Sequence, residues 1–146
     1  MNVMLNTAIL APAAVLASWS LVMLVWVLAT RMPAFKKAGV DLVAAPPGGR
    51  YADVEADMPP RVNWVAHNYN HLMEQPTVFY ALVAVLAIGG AADSVAMWAW
   101  GYTGLRIVHS LWQALVNTVP VRFLIFLLST VCLFVMAYHA LRLTLG

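Results

Sequence analysis

Between residues 105 and 123 the chain reads LRIVHSLWQALVNTVPVRF, a polar row set into an otherwise oily segment. Arg106, His109, Gln113 and Asn117 recur at spacings of three and four, and Tyr102 extends the row backward, so all five share one face of a helix. Arg122 follows at its end. A soluble helix would turn that face to water, but the composition points elsewhere. Of 146 residues, 63% are hydrophobic and only 10% charged, with a mean hydropathy of +0.81. This is the composition of a membrane protein. A charge at mid-bilayer costs at least about 2.5–3.5 kcal/mol on insertion scales, so Arg106 cannot face lipid and must be paired, hydrated or both.

The flanking sequence supplies the rest of a membrane domain. Four apolar stretches, roughly 8–29, 64–90, 94–118 and 121–144, are each long enough to cross a hydrocarbon core. Strand-period alternation is absent, which excludes a barrel. The expected fold class is therefore an all-α membrane protein, a four-transmembrane-helix antiparallel bundle forming a single domain over residues 1–146. The first stretch has no basic residue before it and no small-residue cleavage signal after it, and is read as a retained helix. The GGAAD turn at 89–93 makes the second and third helices antiparallel neighbours, and Pro120 suits the first turn of the fourth.

Charge placement sets the expected topology. Arg31, Lys36, Lys37, Arg50 and Arg61 lie in or beside the connection 31–61, Arg122 lies in the third loop, and only Arg142 marks the opposite side. The positive-inside rule then puts the first and third loops in the cytoplasm and both termini across the membrane, as in a multi-pass protein of a bacterial inner membrane. Asp41, Asp53, Glu55 and Asp57 share the basic loop, so it is no nucleic-acid surface. The loop carries AAPPGGRY at 44–51, whose paired prolines and glycines break any helix, and part of it is expected to fold over the cytoplasmic mouth. Cys132 is the only cysteine, so no disulfide forms within one chain.

The second helix carries its own stripe. Asn63, His67, Asn70 or His71, and Glu74 recur at helical spacing toward the same cytoplasmic end. The two stripes are expected to face each other or one cavity. They admit two readings: structural glue, with Glu74 and Arg106 as a buried ion pair, or a binding cavity for a polar ligand. Metal binding is disfavoured, since His67, His71, His109 and Glu74 lack a second intramembrane acidic ligand and have arginines beside them. Guanidinium groups suit carboxylates, and Glu74 suits an ammonium, so a zwitterionic ligand with several carboxylates fits the composition.

NHLMEQPTVFYAL (70–82), followed by WAWGYTGLRIVHSLWQALVNTVPVRF (98–123), resembles the MAPEG family, the membrane-associated proteins in eicosanoid and glutathione metabolism. Its most specific part is Arg-x-x-His-Ser, residues 106–110, with a later arginine opening the fourth helix. The resemblance implies a homotrimer of four-helix subunits binding glutathione as co-substrate near the cytoplasmic face. It implies that Arg122 stabilises the glutathione thiolate, and that Arg31, His67, Asn70, His71, Glu74, Tyr102, Arg106, His109 and Gln113 contact the substrate. The implied activity is that of a membrane glutathione transferase-like protein, with the thiolate attacking lipophilic electrophiles or peroxides. The helix-two pattern departs from the family's Arg-Ala-x-x-Asn-x-x-Glu: His67 stands at its arginine and His71 at its asparagine. A nonenzymatic scaffold of the same fold, acting as a subunit or small-ligand binder, is the alternative.

Overall fold

The computed structural model describes residues 7–146, all of whose regular elements are helical; residues 1–6 of the expected domain lie outside that range. Helix α1, Leu10–Ala38, runs nine residues past the expected end at 29. The Thr30 hydroxyl donates back to the Trp26 and Val27 carbonyls (2.9 and 3.1 Å), and the helix accommodates Pro33. Lys36 and Lys37 fall in its last turn, where positive charge complements the helix dipole. Gly39 closes it at φ 70°, a left-handed cap that lets the Val40 amide reach the Phe35 carbonyl (3.0 Å).

The expected loop 31–61 thus shortens to residues 39–59. At its centre the Gly49 amide donates to the Pro46 carbonyl (3.0 Å) around Gly48 at φ 82°, the turn that Pro-Pro-Gly-Gly favours. Two single 3-10 turns, Tyr51–Asp53 and Glu55–Asp57, then lie back against the bundle. Met58, Ala34 and Phe35 form a small buried core there, flanked by Val40, Tyr51, Val54 and Val62.

The expected continuous helix 64–90 is two helices, α2 (Pro60–Leu72) and α3 (Gln75–Ile88). Pro76 explains the break. It has no amide to offer the Leu72 carbonyl, and its ring would clash with that carbonyl in a continuous helix. Glu74 sits at the junction with φ −89° and ψ −95°, and its carbonyl accepts from the amide and hydroxyl of Thr77. Helix α4 covers Asp93–Leu115 and α5 covers Val119–Leu145. The expected third helix, 94–118, therefore stops three residues early; Asn117 lies beyond it in the left-handed region at φ 58°.

Named contacts fix the helix directions. Thr103 of α4 bonds Pro12 of α1, and Ser110 bonds Trp19 one helical stretch later, so α1 and α4 run parallel. Gln75 meets Tyr102 while Asn68 meets Ser110, so α2 and α3 oppose α4. Phe126 of α5 meets His109, and Cys132 approaches Gly101, so α5 also opposes α4. Helix α4 lies at the centre, against α1, α2 and α5.

Polarity is inverted relative to a soluble domain. Arg106 is 0% exposed, whereas Leu21 is 65% and Phe134 72% exposed. Such a surface suits hydrocarbon. Among the described residues, three spans are long and apolar enough to cross a membrane: Leu10–Ala38, Pro60–Ile88 and Val119–Leu145. Helix α4 is outside that set, its polar row having lowered its hydropathy.

Candidate functional site

Tyr102, Arg106, His109 and Gln113 are all buried on the inward face of α4, as helical spacing requires. They meet α2 and α3 at the break. Arg106 donates from Nη2 to the His71 carbonyl (3.0 Å), and its Nη1 stands 3.4 Å from His71 Nε2. On the other side of the same ring, His71 Nδ1 lies 2.9 Å from the Glu74 carboxylate. A guanidinium can only donate and a carboxylate only accept. The two contacts together assign His71 as the neutral tautomer, donating from Nδ1 to Glu74 and accepting at Nε2 from Arg106.

The direct pair between Glu74 and Arg106 that belonged to the structural-glue reading is therefore absent; His71 stands between them. Glu74 falls at the helix break, which swings its side chain outward to 67% exposure. The His71, His109 and Phe126 rings form a cluster joining α2, α4 and α5, with centroid separations of 5.1, 5.6 and 6.4 Å. Arg122 stands one turn before Phe126 on α5, so the i, i+4 geometry places it on the face bearing that cluster. Its Nη1 donates to Asn117 Oδ1 at 2.6 Å.

Below the rings, the Tyr102 hydroxyl donates to Gln75 Oε1 (3.3 Å) and Gln75 Nε2 donates to the Thr130 hydroxyl (2.9 Å). A second network starts at Ser110, whose Oγ accepts from Asn68 Nδ2 (2.7 Å) and Trp19 Nε1 (2.9 Å). Sequence reasoning missed Asn68, Trp19, Gln75 and Thr130. Asn68 is fully buried, and its sequence gives little signal, a carboxamide between His67 and Tyr69, one residue away from the stripe that periodicity selects.

The remaining expected residues are elsewhere. His67 and Asn70 are exposed on the outer side of α2. The loop holds His67: its Nε2 is 2.6 Å from Glu55 Oε1. The Arg31 guanidinium stacks over the Tyr51 ring (3.6 Å), and the Tyr51 hydroxyl makes a short hydrogen bond to Asn63, whose Nδ2 donates to the Glu55 carbonyl. Burial pushes the Tyr51 phenol above its ordinary value of 10.0; Arg31 opposes this and Glu55 reinforces it. Between this strap, α2 and Asn117 lies a cleft of about 580 Å³, lined in part by Glu55, Asn63, Trp64 and His67. Arg31 and His67 are thus engaged by the loop, apart from the cluster around Arg106.

Several polar atoms have no partner among the described residues despite full burial, among them Arg106 Nε and Gln113 Oε1. The Glu74 carboxylate is exposed and the Arg122 guanidinium half-buried, and groups of these two signs suit the two ends of a zwitterion.

A match to the MAPEG family spans residues 9–142, nearly the whole chain. The chain belongs to the MAPEG family. No curated protein and no solved structure matches it. The match covers all of α2–α4 and both polar stripes.

Proposed function

We propose that this MAPEG protein is a membrane glutathione transferase-like enzyme that acts as a homotrimer of four-span subunits. The observation that carries the reading is the position of Glu74. It lies fourteen residues from either end of the span Pro60–Ile88, yet its side chain is 67% exposed in the single chain. A carboxylate at that depth cannot remain against lipid. A neighbouring subunit and a ligand ammonium would cover it, and the outward His67 and Asn70 on α2 suit the same interface. Helix α4, packed against α1, α2 and α5, would then cross as the fourth span. The basic residues around the strap and Arg122 favour a cytoplasmic position for that end.

Glutathione would supply the thiol nucleophile. In this chain Arg122 would face the thiolate, Glu74 the ammonium, and Arg106, His109, Gln113 and Tyr102 the polar body of the tripeptide. A free thiol has a pKa of about 8.5, and lowering it by about 1.5 units takes about 2 kcal/mol, within reach of one charge-assisted bond from Arg122. The lipophilic electrophile would enter from the bilayer; Trp98 and Trp100, both exposed on α4, suit that route. The engagement of Arg31 and His67 by the loop favours the second reading, a nonenzymatic scaffold.

Calorimetry of the detergent-solubilised protein with glutathione separates the two. Saturable binding below millimolar concentration supports the enzyme, and no binding at that level refutes it. With binding established, Arg122→Ala should abolish thiolate absorbance near neutral pH while the oligomer survives.

A further inference from the structure

We propose that Asn117 is a positioning residue that holds the Arg122 guanidinium in its working orientation, an inference that rests on the thiolate role of Arg122. Asn117 is the only described non-glycine residue with positive φ, at 58°. It lies just past α4, where its amide and that of Val116 both donate to the Trp112 carbonyl (2.7 and 2.9 Å). Glycine is the residue that such a helix-ending position favours, and asparagine is the commonest substitute. A carboxamide here does something glycine cannot: its Oδ1 accepts from Arg122 Nη1 at 2.6 Å.

That bond crosses the turn from α4 to the first turn of α5. The Arg122 amide meanwhile donates to the Thr118 carbonyl (3.1 Å), so both ends of the arginine are tied to the turn. An arginine side chain has four rotatable bonds, and a guanidinium held by one fixed acceptor keeps its remaining donors aimed in one direction. Arg122 lies one turn before Phe126 on α5, the residue that packs against the His71 and His109 rings. Asn117 also lines the cleft beneath the strap, so the tether joins the guanidinium to the wall of that cleft.

Asn117→Gly separates the two roles of the residue, because glycine keeps the left-handed turn and removes the acceptor. The expected result is a melting temperature at or above that of the wild type. The pH midpoint of bound-thiolate absorbance should rise by about one unit. The kcat near neutral pH should fall about tenfold, with the KM for glutathione changed far less. In an Arg122→Ala background, Asn117→Gly should cause no further shift of the midpoint. A wild-type midpoint in Asn117→Gly, or an equal shift in both backgrounds, overturns the tether. Absence of thiolate absorbance from the wild type overturns the glutathione reading itself, and the positioning role with it.

Discussion

Ser110→Ala tests the packing logic of the bundle. One hydroxyl accepts from two helices, through Asn68 Nδ2 at 2.7 Å and Trp19 Nε1 at 2.9 Å, and both Asn68 and Ser110 are 0% exposed. Removing the oxygen strands both donors. At about 1–3 kcal/mol for each unpaired buried donor, the upper range is about 2–6 kcal/mol. Two effects reduce it. The Trp19 side chain is only half-buried, and interhelical hydrogen bonds in a bilayer average about 0.6 kcal/mol, with a maximum near 1.7, because separated helices find other partners. The expected loss is about 1–2 kcal/mol, dominated by Asn68. The assay is reversible unfolding in mixed dodecylmaltoside and dodecyl sulfate micelles, run as a double-mutant cycle with Asn68→Ala. A shared bond predicts coupling of about 0.6–1.7 kcal/mol. Asn68 Oδ1 has no partner among the described residues, so Asn68→Leu combined with Ser110→Ala should recover stability relative to Ser110→Ala alone. Additivity of the two alanine substitutions within about 0.3 kcal/mol would refute the shared node.

Two predictions concern the strap over α1 and α2. Glu55→Gln weakens the contact with His67, whose partners are 47% and 33% exposed, so global stability should change by no more than about 1 kcal/mol. Trypsin cleavage at Arg50 should nevertheless accelerate, and an unchanged cleavage rate would show that the Glu55–His67 contact does not hold the strap. The second concerns alkaline pH. The folded Tyr51 pKa lies above its ordinary value of 10.0, so the fold favours the neutral phenol; its stabilising contribution is present below 10 and is lost as pH rises through the folded value. The difference in 295 nm absorbance between wild type and Tyr51→Phe should show a phenol titrating above 10, and a midpoint at or below 10 would contradict its burial.

Helical spacing made α4 readable because its row of Tyr102, Arg106, His109 and Gln113 has one inward destination in any membrane fold. The stripe on α2 has the same periodicity but is divided, and spacing alone cannot show this. Burial on α2 passes through Val65, Asn68 and Leu72, leaving His67 and Asn70 outside. The sequence does contain the reason for the displaced Glu74: Pro76, two residues on, makes a continuous helix cost a hydrogen bond and a steric clash. That break changes the electrostatics. A continuous helix would have favoured a closed ion pair between Glu74 and Arg106, each neutralising the other. The broken helix instead inserts the neutral ring of His71, leaving the carboxylate outward and the guanidinium inward. On the proposed reading, two opposite charges kept apart within one subunit stay available to a ligand carrying both signs, and a second protein surface would cover the exposed one at the same depth. On that reading, ligand and oligomer both trace to one feature of the backbone. If Pro76→Ala straightened the span and let Glu74 meet Arg106, glutathione binding and self-association should weaken together; loss of one without the other would separate them.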